Sequence, residues 1–522
     1  MAISLVDPQE PYLLECVAFP APIENVGRIP NSAYLALPCL RSRGIPGRHL
    51  AGAGPLDGQT VADVEQGQRC CRCSQLSSGS PGSGPPFFDG IRTLPASPPL
   101  SDGGSMMSAL ESLRALTPQQ RNTVIASYLG WTLDAFDFFI LVFVLKYIAE
   151  EFHTDVPAVS VAIFLTLAMR AVGALVFGLA ADRFGRRVTL MADVLLYSLF
   201  EFLTGFSTGL TMFLVLRALY GIAMGGEWGV GASLVMETVP ENSRGIVSGI
   251  LQAGYPSGYF IASIVFFLLF PVIGWRGMFF VGAAPALLVL YIRRNVEESP
   301  VFLKRQAEGR RPFLTVLREN IPLFVWSVLL MTAFNFLSHG TQDIYPTFLE
   351  MQRNYDSYTT GAIAIVYNIG AICGGLFFGA LSQRIGRKRA IVIAALLAVP
   401  VAPLWVHAPG PVLLAIGAFL MQLFVQGAWG IVPVHLNELS PDEVRGTFPG
   451  FAYQLGNLLA SGNATMQAGL AAHWNGDYAT ALLITATLVT VAVALLSGFG
   501  YEKKDVRFGT EEAEAPPGAL RS

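Results

Sequence analysis

The stretch Asn335-Phe-Leu-Ser-His-Gly-Thr-Gln-Asp-Ile-Tyr-Pro-Thr347 decides how the rest of the chain is read. It interrupts an apolar run that begins near Ile321 and is otherwise long enough to span a bilayer. On a helix, Asn335, Ser338, His339, Gln342 and Asp343 fall at i, i+3, i+4, i+7 and i+8, so they line one face. Polar side chains are expensive in hydrocarbon, and a stripe of five must face a protein interior or a wet cavity. Interhelical hydrogen bonding, the structural alternative, needs fewer such residues and no histidine one turn from an aspartate. The stripe therefore reads as functional.

Composition supports a membrane setting. Of 522 residues, 52% are hydrophobic and only 14% charged, with a mean hydropathy of +0.50. A soluble protein carries about 25% charged residues, so this is the composition of a polytopic membrane protein. The net charge of −3 and the lack of a basic patch leave no reason to expect a nucleic-acid partner. Of the six cysteines, Cys16, Cys39, Cys70, Cys71 and Cys73 precede the apolar region and only Cys373 lies within it. No disulfide framework is expected to hold the fold. Cys70 and Cys73 form a lone CxxC with no second pair and no nearby histidine, so neither metal nor cofactor is expected. The sequence offers no nucleophile–base set that would point to an enzyme.

Residues 1–105 differ from the remainder. The tracts at 77–86 and 95–104 are rich in Ser, Gly and Pro and are expected to be disordered. A charged segment followed by an apolar one, the mark of a signal peptide, is missing. Met106-Met107 before the amphipathic Leu110, Leu113 and Leu116 would make a natural start. From Thr123 on, membrane-length apolar runs recur near 123–147, 158–181, 188–208, 210–237, 246–270 and 276–293. After a charged stretch they resume at 321–345, 358–382, 390–408, 411–437, 447–471 and 478–500. Twelve spans are thus expected. Lys and Arg gather in alternate connections, at Arg183, Arg186 and Arg187, at Arg244, at 293–318, at 384–389 and at Arg445. By the positive-inside rule both termini are expected on the cytoplasmic side.

The two halves repeat. Gly178, Arg183, Gly185 and Arg186 recur as Gly379, Arg384, Gly386 and Arg387, an offset of 201. Trp228, Glu237, Pro240, Arg244 and Gly245 recur as Trp429, Glu438, Pro441, Arg445 and Gly446 at the same offset. One offset across two motifs implies two six-helix halves in parallel repeat, rocking about a site between them. The expected organisation is an extension 1–105, a bundle 115–297, a cytoplasmic loop 298–320, a bundle 321–502 and a cytoplasmic tail 503–522.

The loop Gly178-(x)3-Asp182-Arg183-(x)-Gly185-Arg186-Arg187 resembles the major facilitator signature between helices two and three. The opening stretch is more specific. Asn335, Ser338, His339, Thr341, Gln342, Asp343 and Thr347 resemble the N-x-x-[ST]-H-x-[ST]-Q-D-x-x-x-T signature of lactate/pyruvate:proton permeases, in the sialate:proton symporter family. The resemblance covers roughly 115–502; its one departure is Gln383 where Asp182 stands in the first loop. It implies an all-α membrane protein of the major facilitator fold, monomeric and multi-pass, in the plasma or inner membrane.

A carboxylate in a low-dielectric cavity requires a counter-charge. Arg170 lies halfway along its span, too deep to reach either surface, and its guanidinium offers paired donors that match a carboxylate. It is expected to contact substrate directly or in alternation with an acid such as Asp134; Arg217 fits an internal ion pair. His339 is the other cation, with a charge that changes near neutral pH. Candidate proton carriers are Asp134 and Asp137, three apart on the first span, with Glu227, His339 and Asp343. Adding 201 to Asp134 and Asp137 gives Asn335 and Ser338, so helices one and seven are expected to face one cavity. Glu201 is a lesser candidate, and Asp193 is expected near the cytoplasmic rim.

In the lactate permeases a Gln and an Asn three apart on helix eleven recognise substrate, which the resemblance carries to Gln454 and Asn457. Tyr255 and Ser257 face them by the repeat, and Asn335, His339 and Gln342 complete the expected substrate contacts. Asp182, Arg183, Gly185, Arg186, Arg187, Arg384 and Arg387 are expected to latch one conformational state. The reading is a symporter of a proton with a small monocarboxylate such as lactate or pyruvate. The rivals are a symporter of a bulkier acid, sialate or aromatic, and a non-transporting nutrient receptor.

Overall fold

The structure, a computed structural model, describes residues 105–308, 311–504 and 506–509. The extension 1–104, with its CxxC pair and expected disorder, and residues 510–522 lie outside the described residues. The first half runs through α1 (Ser105–Arg114), α2 (Pro118–Glu151), α3 (Val156–Phe184), α4 (Arg186–Thr204), α5 (Leu210–Met224), α6 (Glu227–Thr238), α7 (Arg244–Gln252), α8 (Gly254–Val281) and α9 (Ala286–Asn295). Two short helices, α10 (Pro300–Glu308) and α11 (Phe313–Glu319), lead to the second half. That half runs through α12 (Ile321–Gln342), α13 (Tyr345–Met351), α14 (Ser357–Ile385), α15 (Arg387–His407), α16 (Gly410–Trp429), α17 (Val432–Leu439), α18 (Phe448–Ala460), α19 (Asn463–His473) and α20 (Tyr478–Phe499). Among the described residues, nine helical stretches are long and apolar enough to cross a membrane. Three runs read as spans fall short of that measure for local reasons. The run at 188–208 carries Asp193 and Glu201, while 276–293 and 447–471 are broken at 282–285 and at Ser461-Gly462.

Local chemistry explains where the helices start. Thr117 and Gln120 form a reciprocal capping box, at 3.2 and 3.0 Å, and Pro118 occupies the first turn of α2. Asp155 caps α3 by accepting from Ala158 N at 3.1 Å. Asp477 caps α20 and also accepts from Gln352 Nε2 at 2.9 Å. These bonds, that from Thr480 foremost, hold the Asp477 carboxyl below the usual carboxylate range. At the two repeated loops Gly185 and Gly386 take φ of +112° and +97°, which L side chains rarely adopt. That turn lets α3 pass directly into α4, and α14 into α15.

The distribution of polarity inverts that of a soluble protein. Phe164, Val176, Leu195, Leu268, Val272 and Leu488 are exposed, whereas Asp134, Arg170, Asp193, Glu201, Arg217 and Glu227 are buried. Exposed apolar side chains suit lipid, and inside the bundle Arg170 pairs with Asp134 and Arg217 with Glu201. The halves meet through two pairs of helices that the repeat relates, α3 on α18 and α7 on α14. A Cβ on Gly379 would lie 2.6 Å from the Gly245 carbonyl oxygen, and one on Gly178 would lie 2.6 Å from Thr447 Cα. Only glycine permits backbones to approach that closely.

Candidate functional site

Arg170 projects from the middle of α3, and its Nη2 donates to both carboxylate oxygens of Asp134 on α2, at 2.6 and 2.8 Å. The side chains are 4% and 1% exposed, so both charges are nearly desolvated. One nitrogen serves Asp134, while buried Nε has no hydrogen-bond partner among the described residues. Tyr255 of α8 and Tyr453 of α18 lie within the electrostatic reach of the guanidinium, so it sits where the halves meet. A second buried pair joins Arg217 Nη2 to Glu201 at 2.6 Å and to Thr204 Oγ1 at 2.9 Å. Rings of Tyr220 and Phe279 cover that guanidinium at 4.1 and 5.2 Å, all within the first half. Arg217 is therefore enclosed within the first half, whereas Arg170 is a buried cation at mid-span between the halves.

Three further acids lie inside the first half. Asp137, Asp193 and Glu227 are buried, and their carboxyl oxygens have no hydrogen-bond partner among the described residues. Asp193, expected near the cytoplasmic rim, is fully enclosed, with its carboxyl against the start of α6. Asp137 lies close to Glu201: a Cβ on Gly282 would stand 3.2 Å from one and 3.1 Å from the other. Glu227 occupies space left by Gly130 on α2. In this mid-bundle cluster, apart from Arg186, Arg244 and Glu237 at the loop end, five buried carboxyls thus accompany two buried guanidinium groups. Burying all five as anions would leave three charges uncompensated within this cluster.

The polar face of α12 divides its labour. His339 Nδ1 lies 3.2 Å from the Asp343 carboxylate, and the two side chains are 34% and 39% exposed. Asn457 of α18 lies within the electrostatic reach of His339, and its Nδ2 lies 3.4 Å from Gln454 Oε1. Thus His339, Asp343, Gln454 and Asn457 come together. Asn335 donates to the Met331 carbonyl of its own helix at 2.8 Å. Gln342 donates to Gln422 Oε1 at 2.8 Å, and Gln426 to Ser338 Oγ at 2.9 Å. In the sequence, the signal for these α16 side chains is two Gln four apart in an apolar span. Ser257 accepts from Tyr128 Oη at 2.9 Å, and the Tyr255 ring packs 5.5 Å from those of Trp131 and Phe139. A run of aromatic contacts continues from Trp131 through Trp228 and Tyr453 to Trp429, crossing from one half to the other.

The repeated loops join the halves at one end of the bundle. Asp182 accepts from Gly446 N at 2.8 Å, Thr447 N at 3.0 Å and Thr447 Oγ1 at 2.6 Å, at the start of α18. Arg186 pairs with Asp182 and with Glu237, both at 3.2 Å, and Glu237 also faces Arg445 at 3.7 Å. In the second half, Arg387 binds Glu438 through two nitrogens at 2.9 and 2.8 Å. Gln383, standing for the first loop's aspartate, accepts from Gly245 N at 3.1 Å, so its amide oxygen takes the corresponding cross-half bond. Arg187 donates to the Arg293 carbonyl at 2.7 Å, Arg183 lies near the Phe184 ring, and the Arg384 carbonyl accepts from Lys504. Glu298 accepts from Arg186 N at 2.8 Å, and Glu502 from Lys388 N at 3.1 Å. Each is an anion set at a helix N-terminus.

Comparison with known proteins accords with this geometry. The chain is 28% identical over 393 residues to "Carboxylic acid transporter protein homolog" of Saccharomyces cerevisiae, covering 70% of this chain and spanning 64% of that protein's length. It is 28% identical over 395 residues to the sialic acid transporter NanX of Escherichia coli, covering 74% of this chain and 95% of that one. The solved proton:xylose symporter XylE shares the fold at a TM-score of 0.64 and 17% identity, over 75% of this chain and 98% of its own. Residues 128–465 match the family described as Major Facilitator Superfamily. With an all-helical bundle of repeated halves, apolar outside and charged within, the chain belongs to the Major Facilitator Superfamily and is an integral, multi-pass membrane transporter.

Proposed function

We propose that this transporter is a proton-coupled symporter that imports a small monocarboxylate of the lactate or pyruvate type by alternating access. In this reading twelve spans place both termini on the cytoplasmic side, and a single chain suffices. The observation that carries it is Arg170: a buried guanidinium between the halves, holding Asp134 through one nitrogen while its Nε has no partner. A substrate carboxylate taken on that edge competes with Asp134 for the same cation. Asp134, displaced into a low-dielectric site, takes a proton, so substrate and proton enter as a neutral pair. Moving the bare anion against a negative-inside potential would cost about 2.3 kcal/mol per 100 mV, which the proton cancels.

His339 and Asp343, a third exposed, form the accessible mouth, and the buried Gln454 and Asn457 of α18 extend it inward. Asp137 and Glu227 supply further proton capacity near the buried pairs. The cross-half contacts of Asp182 with Gly446 and Thr447, of Glu237 with Arg445 and of Gln383 with Gly245 hold the loop end closed and must break for the opposite state to form. Arg186 and Arg387, paired within their own halves, hold Glu237 and Gln383 in place. The likeness to NanX favours a second reading, in which the substrate is a bulkier acid such as sialate. Labelled lactate uptake into vesicles with an imposed inward proton gradient, competed by pyruvate and by sialate, separates the two. Gradient-driven accumulation blocked by pyruvate but not by sialate is expected. Block by sialate alone transfers the assignment to the bulkier acid, and uptake indifferent to the gradient refutes coupling.

A further inference from the structure

Beyond α20 the chain returns over the end that carries the repeated loops, and residues 506–509 bind there through contacts to both halves. The Phe508 ring is held between two guanidinium groups, Arg244 at 3.8 Å and Arg445 at 3.9 Å from its centroid. These arginines are repeat equivalents, one from each half, 201 positions apart. Each is anchored in its own half, Arg244 Nε to the Met236 carbonyl and Arg445 Nε to the Asn437 carbonyl, both at 3.1 Å. Around the ring the backbone is pinned. Arg244 Nη1 donates to the Val506 carbonyl at 2.6 Å. Gly509 N donates to Asp442 Oδ2 at 3.0 Å, and Lys304 Nζ donates to the Gly509 carbonyl. Arg507 faces Glu241 at 3.7 Å.

A tail resting on one surface would contact one half, and exposed ion pairs of that kind are worth little. This segment differs because its aromatic anchor needs a cation from each half at once. Any contact that exists only when the two loop ends meet favours the closed state by the whole of its interaction energy. We propose that residues 506–509 form an intramolecular strap that clamps the loop ends of the two halves together, and that its release accompanies opening at that end. The proposal rests on the alternating movement of the halves set out above.

The test is a pair of spin labels at Arg294→Cys and Arg389→Cys, exposed positions on the loop end of each half, in a full-length chain freed of its native cysteines. Distances are measured by double electron–electron resonance in detergent without substrate. Phe508→Ala removes two cation–π contacts and is expected to raise the ratio of loop-open to loop-closed molecules roughly tenfold. Phe508→Tyr, which keeps the ring, is expected to match the parent. Phe508→Leu, which keeps apolar bulk without a ring face, gives the same reading as Phe508→Ala should that variant not assemble. Asp182→Asn serves as a reference that opens the loop end independently of the strap. If Asp182→Asn shifts the distances while the Phe508 variants match the parent, the strap is refuted and the movement of the halves stands. If no variant yields a second distance, the movement itself is refuted, and the strap with it.

Discussion

Replacing Asp182 by Asn keeps the shape of the side chain and removes its charge. The carboxylate now accepts three hydrogen bonds across the halves, from Gly446 N, Thr447 N and Thr447 Oγ1, and pairs with Arg186 at 3.2 Å. An amide offers one acceptor oxygen and turns its NH2 toward at least one of these donors. One or two bonds to a charged group are lost, each worth about 1.5–3 kcal/mol. Allowing for the bond that survives, the closed loop end weakens by about 2–3 kcal/mol, or roughly 30- to 150-fold in its population ratio. Asp182 and Arg170 lie twelve residues apart on α3, about 18 Å along the helix axis, so the substrate site is not touched directly. In proteoliposomes the exchange of labelled for unlabelled substrate is expected to slow more than tenfold, while substrate affinity stays within a few-fold of the parent. A collapse of affinity with unchanged turnover per bound substrate would refute the latch.

Arg170→Lys keeps the charge but not the fork, and is expected to raise the half-saturating substrate concentration about thirtyfold, from a loss of ~2 kcal/mol, read in uptake against concentration. His339→Ala is expected to damage proton-driven accumulation while sparing part of the exchange, which needs no net proton release; equal loss of both would move His339 from coupling to substrate binding. Glu201→Ala strands the enclosed Arg217 charge and is expected to cost about 3–5 kcal/mol of stability, seen as a lower thermal midpoint and yield after detergent extraction. A midpoint equal to the parent's would show that Arg217 finds another partner.

The repeat was legible because one offset links two motifs, and the loops at 178–187 and 379–388 do occupy equivalent places between the halves. Arg170 beside Asp134 was legible as well, since burial at mid-span leaves a guanidinium little choice but an acid on a neighbouring helix. Other contacts needed three dimensions. Gln422 and Gln426 correspond by the repeat to Gly221 and Gly225, so comparing the halves hides them. Asp134 and Asp137, three apart, share a face by helical spacing, but that spacing gives no hint that Asp137 also lies close to Glu201. Glu298 and Glu502 cap the helices after the repeated loops, but each comes from a distant connection with no signature of its own. The placement of Phe508 depends on how the halves meet, which no local pattern encodes.

Coupled entry of one proton with one carboxylate at Arg170 and Asp134 is tested most directly by trapping a pH-sensitive dye inside proteoliposomes and adding lactate outside at equal internal and external pH. Acidification of the lumen in step with labelled lactate entry is expected, with both signals needing higher lactate in Arg170→Lys. Lactate entry without acidification, or acidification that ignores the Arg170 substitution, would contradict it.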